Sequence, residues 1–377
     1  MRLRSLIVHA VLTALLLAQG AAAAATPPSW PPADAEVRRM LDSRLTAAPG
    51  AGIVVGLVGP AGRRIIAAGT LARDDPRPAD GDTVFWLASL TKVFTGALLC
   101  QMAGAHEVSV DDPAAGLLPK PGDQLPRAGP YAITLADLAT MTSGLPTWPN
   151  NLRSKDRRNP FDGYTDQALD EFVTKAPPVA AARRHYAYSD VSYGLLGQAL
   201  AHRAGASWDA LIQTRIARPL GLTDLRAEPT EAMARRQATE YEPGGAPAPR
   251  RGYGALEAAG ALFGDANDLA TLLEALLSPR PGPLAGVLDC MVGTRRPGGQ
   301  PPATEAALGW NILRDGAREV VWKDGFFHAF IGLDRAAGVG VVVLTNQESP
   351  GGVNALGLHL LDPDLPLDPG PDPGRPK

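Results

Sequence analysis

Leu87-Ala88-Ser89-Leu90-Thr91-Lys92-Val93-Phe94 is the most informative stretch of this chain, because it holds the one Ser-x-x-Lys. Phe94, Leu98, Leu99 and Met102 follow at helical spacing. On a helix, positions three apart share a face. The Lys92 amine then stands one turn from the Ser89 hydroxyl, close enough to take its proton. Near a helix N-terminus, unpaired N–H groups and the dipole favour developing negative charge. This is an activated nucleophile in outline. Taken alone, the stretch also reads as a surface Ser and Lys on an amphipathic helix, so the case depends on what lies downstream.

The 377 residues suffice for one large domain with two subregions or for two small domains, and 45% apolar content supports a substantial core. The net charge of −3 comes from interleaved acids and bases, so no basic patch points to nucleic acid. Residues 1–25 read as a cleavable export signal: Arg2 and Arg4, an apolar run from Leu6 to Leu17, then Ala21 to Ala25. Residues 26–33 form a Pro-rich linker, and no later segment is apolar enough to cross a bilayer. A secreted or periplasmic location is therefore expected. The only cysteines, Cys100 and Cys290, could pair in such a compartment, although the apolar surroundings of Cys100 favour a buried thiol.

Strand signals open and close the chain. Gly52 to Val58 and Arg64 to Ala68 flank the turn Gly59-Pro60-Ala61-Gly62. Trp310 to Leu313, Glu319 to Trp322, Ala329 to Leu333 and Gly338 to Leu344 read as an antiparallel meander. Helical patterns cover Asp34 to Leu45, Ala132 to Met141, Asp166 to Thr174, Ser192 to Ala204, Trp208 to Ile216, Ala266 to Leu277 and Val353 to Leu361. The order implies an α+β fold: an antiparallel sheet built from both ends of the chain and flanked by helices, plus a mostly helical lobe over roughly residues 100–260. The domain would span residues 34–361, with 362–377 a flexible Pro- and Asp-rich tail.

Two further motifs carry chemistry. In Tyr186-Ala187-Tyr188-Ser189-Asp190-Val191-Ser192, Tyr188 precedes a helix and could project its hydroxyl into a cleft as an acid–base group, with Asp190 or Ser192 as the helix cap. In Trp322-Lys323-Asp324-Gly325, a Lys on a late strand adds positive potential, which attracts a substrate carboxylate and disfavours a charge on Lys92. Gly325 would let the substrate backbone approach closely. The five His residues after the signal segment form no metal-ligand pair, and no G-x-S-x-G, P-loop or Rossmann fingerprint is present, so no metal or cofactor is implied. His185 and His328 read as structural residues near the cleft.

In this order the three motifs resemble those of penicillin-recognising serine hydrolases: class C β-lactamases, D-alanyl-D-alanine carboxypeptidases and endopeptidases, and related esterases. The resemblance runs from about Gly52 to Leu361 and includes Met141-Thr142-Ser143-Gly144-Leu145-Pro146, Asn159 to Thr165, Pro219 to Leu222, Ala259-Gly260 and Phe330 to Asp334. It implies that Ser89 is the nucleophile, Lys92 its amine partner, Tyr188 the base that later activates water, and Lys323 the substrate anchor. The Ser89 N–H would be half of an oxyanion hole. Phe326, on the strand after Gly325, would supply the other half.

Three departures stand out. Asp190 replaces the family's Asn, Asp324 replaces its Thr, and Phe326-Phe327-His328 replaces a small, Gly-rich edge. A carboxylate only accepts hydrogen bonds, so Asp190 should grip Lys92, hold it charged and weaken it as a base. Asp190 and Asp324 should also disfavour an anionic substrate. The expected activity is acyl transfer through an acyl-serine on D-amino-acid peptides of the cell wall or on β-lactam-like amides. The alternatives are an esterase of the same fold and a non-catalytic wall- or partner-binding module with a degenerate site. The hydrolase readings take a small-molecule or peptidoglycan-peptide substrate; the binding module would take wall peptide or a partner protein.

Overall fold

The computed structural model describes residues 30–47, 50–120, 125, 132–156, 158–175, 185–242, 245–316, 318–326, 328–347 and 352–367. The expected signal segment, the first half of the linker and the last residues of the tail lie outside these. By its internal contacts the chain divides into Met1–Pro32 and Ala33–Lys377, and the second body carries everything below.

Its centre is an eight-stranded sheet. The β-branched runs at the N-terminus pair as a hairpin, β1 (Gly52–Gly59) with β2 (Gly62–Gly69). Two short strands, β3 (Phe85–Trp86) and β4 (Phe263–Gly264), pair apart from it. The late strands β5 (Arg296–Pro297), β6 (Glu305–Ala306), β7 (Asn311–Asp315), β8 (Arg318–Gly325), β9 (Ala329–Asp334) and β10 (Val339–Thr345) form the meander. β1 joins the two ends by pairing antiparallel with β10, Ile53 opposite Thr345, giving the order β2-β1-β10-β9-β8-β7-β6-β5.

The middle of the sheet is covered on both faces, which explains why β10 reads as an unbroken apolar run rather than an alternation. Ile331, Leu333, Val342 and Leu344 join the main core with Leu98 and Leu273. Phe330 points the other way, toward the C-terminal helix Gly352–Leu361, where a Cβ on Gly357 would fall 2.1 Å from its ring. That glycine is the slot into which the aromatic packs.

Four helices position the site and its surroundings: α1 (Asp34–Ala47), α2 (Thr91–Gly104), α3 (Asp190–Ala204) and α4 (Ala266–Leu277). α2 is buried on all sides, with only its C-terminal turn reaching the surface. It is therefore the axis of the helical lobe, not an amphipathic surface helix. Burial of Lys92 follows from this placement.

Two expectations need correction. Cys100 and Cys290 form a disulfide, tying α2 to the helix Val287–Gly293; neither is a free buried thiol. The tail does not loosen at residue 362. Asp362 is buried against Arg318, and Arg44 and His359 hold the carbonyls of Leu367 and Leu365.

Candidate active site

The nucleophile turn is built by its neighbours. Leu87 N donates to Leu262 O at 2.9 Å, and Leu262 N donates to Thr91 Oγ1 at 3.1 Å, so the 262–264 segment is fastened to the start of α2. Ala88 adopts φ +48°, in the left-handed region that disfavours residues with a Cβ. That local strain turns Ser89 out of the core on a 3-10 turn, Ala88–Leu90, leading into α2. Among the described residues no acceptor takes the Ser89 N–H.

Tyr188 is held by the segment following Met141. Ala187 N donates to Met141 O at 2.9 Å, and Thr147 Oγ1 donates to Tyr188 O at 2.9 Å. The cap of α3 is Ser189, whose hydroxyl accepts from Ser192 N at 3.0 Å; neither Asp190 nor Ser192 plays that part. Freed from capping, the Asp190 side chain turns into the site.

The structure brings Ser89, Lys92 and Tyr188 together. Lys92 Nζ lies 3.0 Å from Ser89 Oγ and 3.0 Å from Tyr188 OH, and the two hydroxyls hydrogen-bond to one another. Lys92 also donates to Asp190 Oδ1 at 2.7 Å and to Ala259 O at 2.7 Å. Trp148 Nε1 donates to the other Asp190 oxygen at 3.0 Å. Lys323 sits across the site, its Nζ 5.4 Å from the Tyr188 ring centroid.

Burial governs the protonation of these groups. It pushes the Lys92 amine below its ordinary range; the charge and hydrogen bond of Asp190, and the charge of Asp324, oppose this without cancelling it. The grip of Asp190 on Lys92 is therefore as expected, but burial outweighs it and the net displacement of the amine is downward. Burial, with the adjacent Lys92 charge, likewise lowers Lys323 against the pull of Asp324. Burial pushes the Tyr188 phenol well up, Asp190 adds to this, and the Ser89 hydrogen bond opposes it. For Asp324 burial acts upward, yet the Lys323 charge and hydrogen bonds from Asn354 and Gln300 outweigh it and hold the carboxyl below its usual range.

Gly325 has a different use from the one expected. A Cβ there would fall 2.2 Å from Leu87 O. The glycine lets β8 close against the nucleophile turn; it does not make room for a substrate backbone. Phe326 follows in a turn at φ +44°, its ring 6.0 Å from Trp86. His328 is buried, 3.4 Å from Glu240, and His185 is exposed. Trp148, Gln300, Asn354 and the Ala259 carbonyl were not singled out from the sequence. Ala259-Gly260 lies within a family-like segment, and Trp148 follows another, but Gln300 and Asn354 carry no sequence signal.

Residues 21–362 match the beta-lactamase family. The chain belongs to that family, within the penicillin-recognising superfamily. It is 33% identical over 155 residues to the D-alanyl-D-alanine-carboxypeptidase/endopeptidase AmpH of Escherichia coli, a match covering 41% of this chain and 40% of that protein. The chain thus spans well under half of that relative's length. It is 28% identical over 340 residues to the esterase EstB of Burkholderia gladioli, covering 78% of this chain and 86% of the esterase. The class C beta-lactamase of Rhodobacter sphaeroides superposes with a TM-score of 0.73 at 22% identity, covering 87% of this chain and 98% of the other. At that identity the likeness shows the fold, a mixed architecture with a large antiparallel sheet.

Proposed function

We propose that the protein is an exported hydrolase that acts through an acyl-Ser89 intermediate on D-amino-acid peptides or β-lactam-like amides. The observation that carries this is the arrangement of donors around Lys92. A neutral amine has two N–H groups, and Asp190 Oδ1 and Ala259 O accept both. The lone pair then faces Ser89 Oγ and Tyr188 OH, each at 3.0 Å. Ser89 passes its proton to Lys92 as Oγ bonds to the substrate carbonyl carbon. The Ser89 N–H, which has no acceptor among the described residues, receives the oxyanion. The leaving nitrogen or oxygen takes a proton from Tyr188, which Lys92 replaces, as the scissile bond breaks. A water then bonds to the acyl carbon as its proton passes through Tyr188 to Lys92; the bond from that carbon to Ser89 Oγ breaks, Lys92 returns the proton to Oγ, and the acid leaves. Tyr188 keeps its proton at rest, so it relays while Lys92 is the base.

Export is supported by the charged, apolar and alanine-rich sequence of residues 1–25, and by the Cys100–Cys290 disulfide, a bond that persists in oxidising compartments. A second reading, a carboxylic-ester hydrolase, is favoured by the extent of the likeness to the esterase. A non-catalytic module is disfavoured by the intact hydrogen-bonded triad.

The test is a panel of a chromogenic cephalosporin, a D-Ala-D-Ala peptide, a D-aminoacyl amide and a short-chain ester. Turnover of at least one, reduced roughly 10⁴-fold or more in Ser89→Ala, is expected. Turnover that persists in Ser89→Ala would overturn the proposal.

A further inference from the structure

The departure at Asp324 changes what the site can attract. A lone, buried Lys323 would be a strong anchor for a substrate carboxylate. Here its Nζ donates to Asp324 Oδ1 at 3.1 Å and to Gln300 Oε1 at 3.3 Å. The other Asp324 oxygen accepts from Gln300 Nε2 at 2.7 Å and from Asn354 Nδ2 at 3.1 Å. Gln300 thus bridges the pair, accepting from the cation and donating to the anion. Asp324 is 5% exposed and held by three donors, so it cannot swing aside for an incoming anion without leaving them unpaired. Across the site, Lys92 is matched by Asp190 in the same way. With Lys92 neutral, as the base must be, Lys323 alone faces the two carboxylates Asp324 and Asp190, and no net positive charge is left to recognise an acid.

Aromatic side chains lie beside this centre. Trp148, 48% exposed, and Phe326, 49% exposed, are the large apolar side chains that stay open to solvent among the described residues. They are the two ends of one row. Trp148 meets Phe161 at 5.6 Å between ring centroids, Phe161 meets Tyr253 at 5.1 Å, Tyr253 meets Trp86 at 6.1 Å, and Trp86 meets Phe326 at 6.0 Å. Trp148 bonds Asp190 and Trp86 precedes Ser89 by three residues, so the row passes the nucleophile. The cation lying over this row, Arg251, is ion-paired with Glu240 at 3.2 Å. Two exposed aromatic side chains, backed by the buried rings between them and set beside a centre with no surplus positive charge, suit apolar, uncharged groups.

We propose that Asp324 is the specificity-determining residue of this site, and that the enzyme takes acyl donors with no carboxylate beside the scissile bond: uncharged, apolar esters and amides. This rests on the acyl-Ser89 reading above and narrows its substrates to those amides and esters whose leaving group carries no carboxylate. It is tested with two thioesters sharing one apolar acyl group, the first of thioglycolic acid and the second of methyl thioglycolate. They differ by a methyl cap that removes the negative charge and makes the departing thiol more acidic, so the change of the ratio in the variants isolates the charge. The wild-type enzyme should favour the methyl ester in kcat/KM by tenfold or more. Asp324→Asn keeps the side-chain volume, Asp324→Thr restores the family's residue, and both should cut that preference at least tenfold. Equal or faster turnover of the charged thioester by the wild type would overturn the proposal whether or not the variants fold. An unchanged ratio in variants whose circular dichroism is native would also overturn it. Absence of acylated Ser89 with both thioesters would instead overturn the hydrolase reading, and this inference with it.

Discussion

Asp190 occupies a position where the family's amide would carry no charge, and it lies 2.7 Å from the amine that must act as a base. Whether this helps or hinders depends on burial. Lys92 has no exposed surface, and the cost of keeping an ammonium there exceeds what Asp190 returns, so the amine stays below its ordinary range. Activity should then rise as Lys92 loses its proton, along an acidic limb in the pH profile of kcat/KM. Asp190 raises the Lys92 pKa, so Asp190→Asn should move that limb to lower pH, by about one unit or more. The check is a pH–rate profile of both proteins; a limb moving to higher pH would refute the assignment. Ser89, Lys92 and Tyr188 were legible because a nucleophile, an amine and a phenol follow recognisable local spacing. Trp148, Gln300 and Asn354 were not, because each is a single side chain brought in by a distant segment. The sign of the Asp190 effect was also illegible, since it turns on burial that only packing creates.

The elements were read more evenly. β1 and β2 are β-branched runs and β7 to β10 strand-like apolar stretches, all separated by turn residues, and that pattern survives in the fold. β3 and β4 have two residues each, too few for any period, yet they hold the nucleophile turn. Tertiary packing decided the rest: α2 is central, and the start of its preceding turn is strained at Ala88. β8 meets that turn through Gly325, whose missing Cβ is the contact. Gly325→Ala should push β8 away from Leu87. We expect a loss of about 1–3 kcal/mol in stability from overpacking, and about 10²-fold in acylation rate from displaced geometry. Urea unfolding and single-turnover kinetics measure the two. Native values of both would show that the close approach does not matter.

Over the whole molecule, the two ends of the chain share one sheet and the helical lobe hangs from α2. The Cys100–Cys290 bond joins residues 190 apart in sequence and fixes that axis to a neighbouring helix. Its removal in a Cys100→Ala, Cys290→Ala variant should cost about 2–4 kcal/mol, read as a lower urea midpoint. An unchanged midpoint would mean that packing alone holds the lobe. The pairing could not be read from the sequence, because spacing says nothing of whether two Cα atoms come within bonding reach.

The central claim is a covalent bond between Ser89 and the acyl group. The most direct measurement is the mass of the enzyme acid-quenched during turnover of the methyl thioglycolate thioester, followed by peptide mapping. The account predicts a gain equal to the acyl group on the peptide containing Ser89, absent from Ser89→Ala. An unmodified Ser89 during saturated turnover in single-turnover and steady-state quenches alike, or an acyl group on another residue with undiminished turnover in Ser89→Ala, would contradict it.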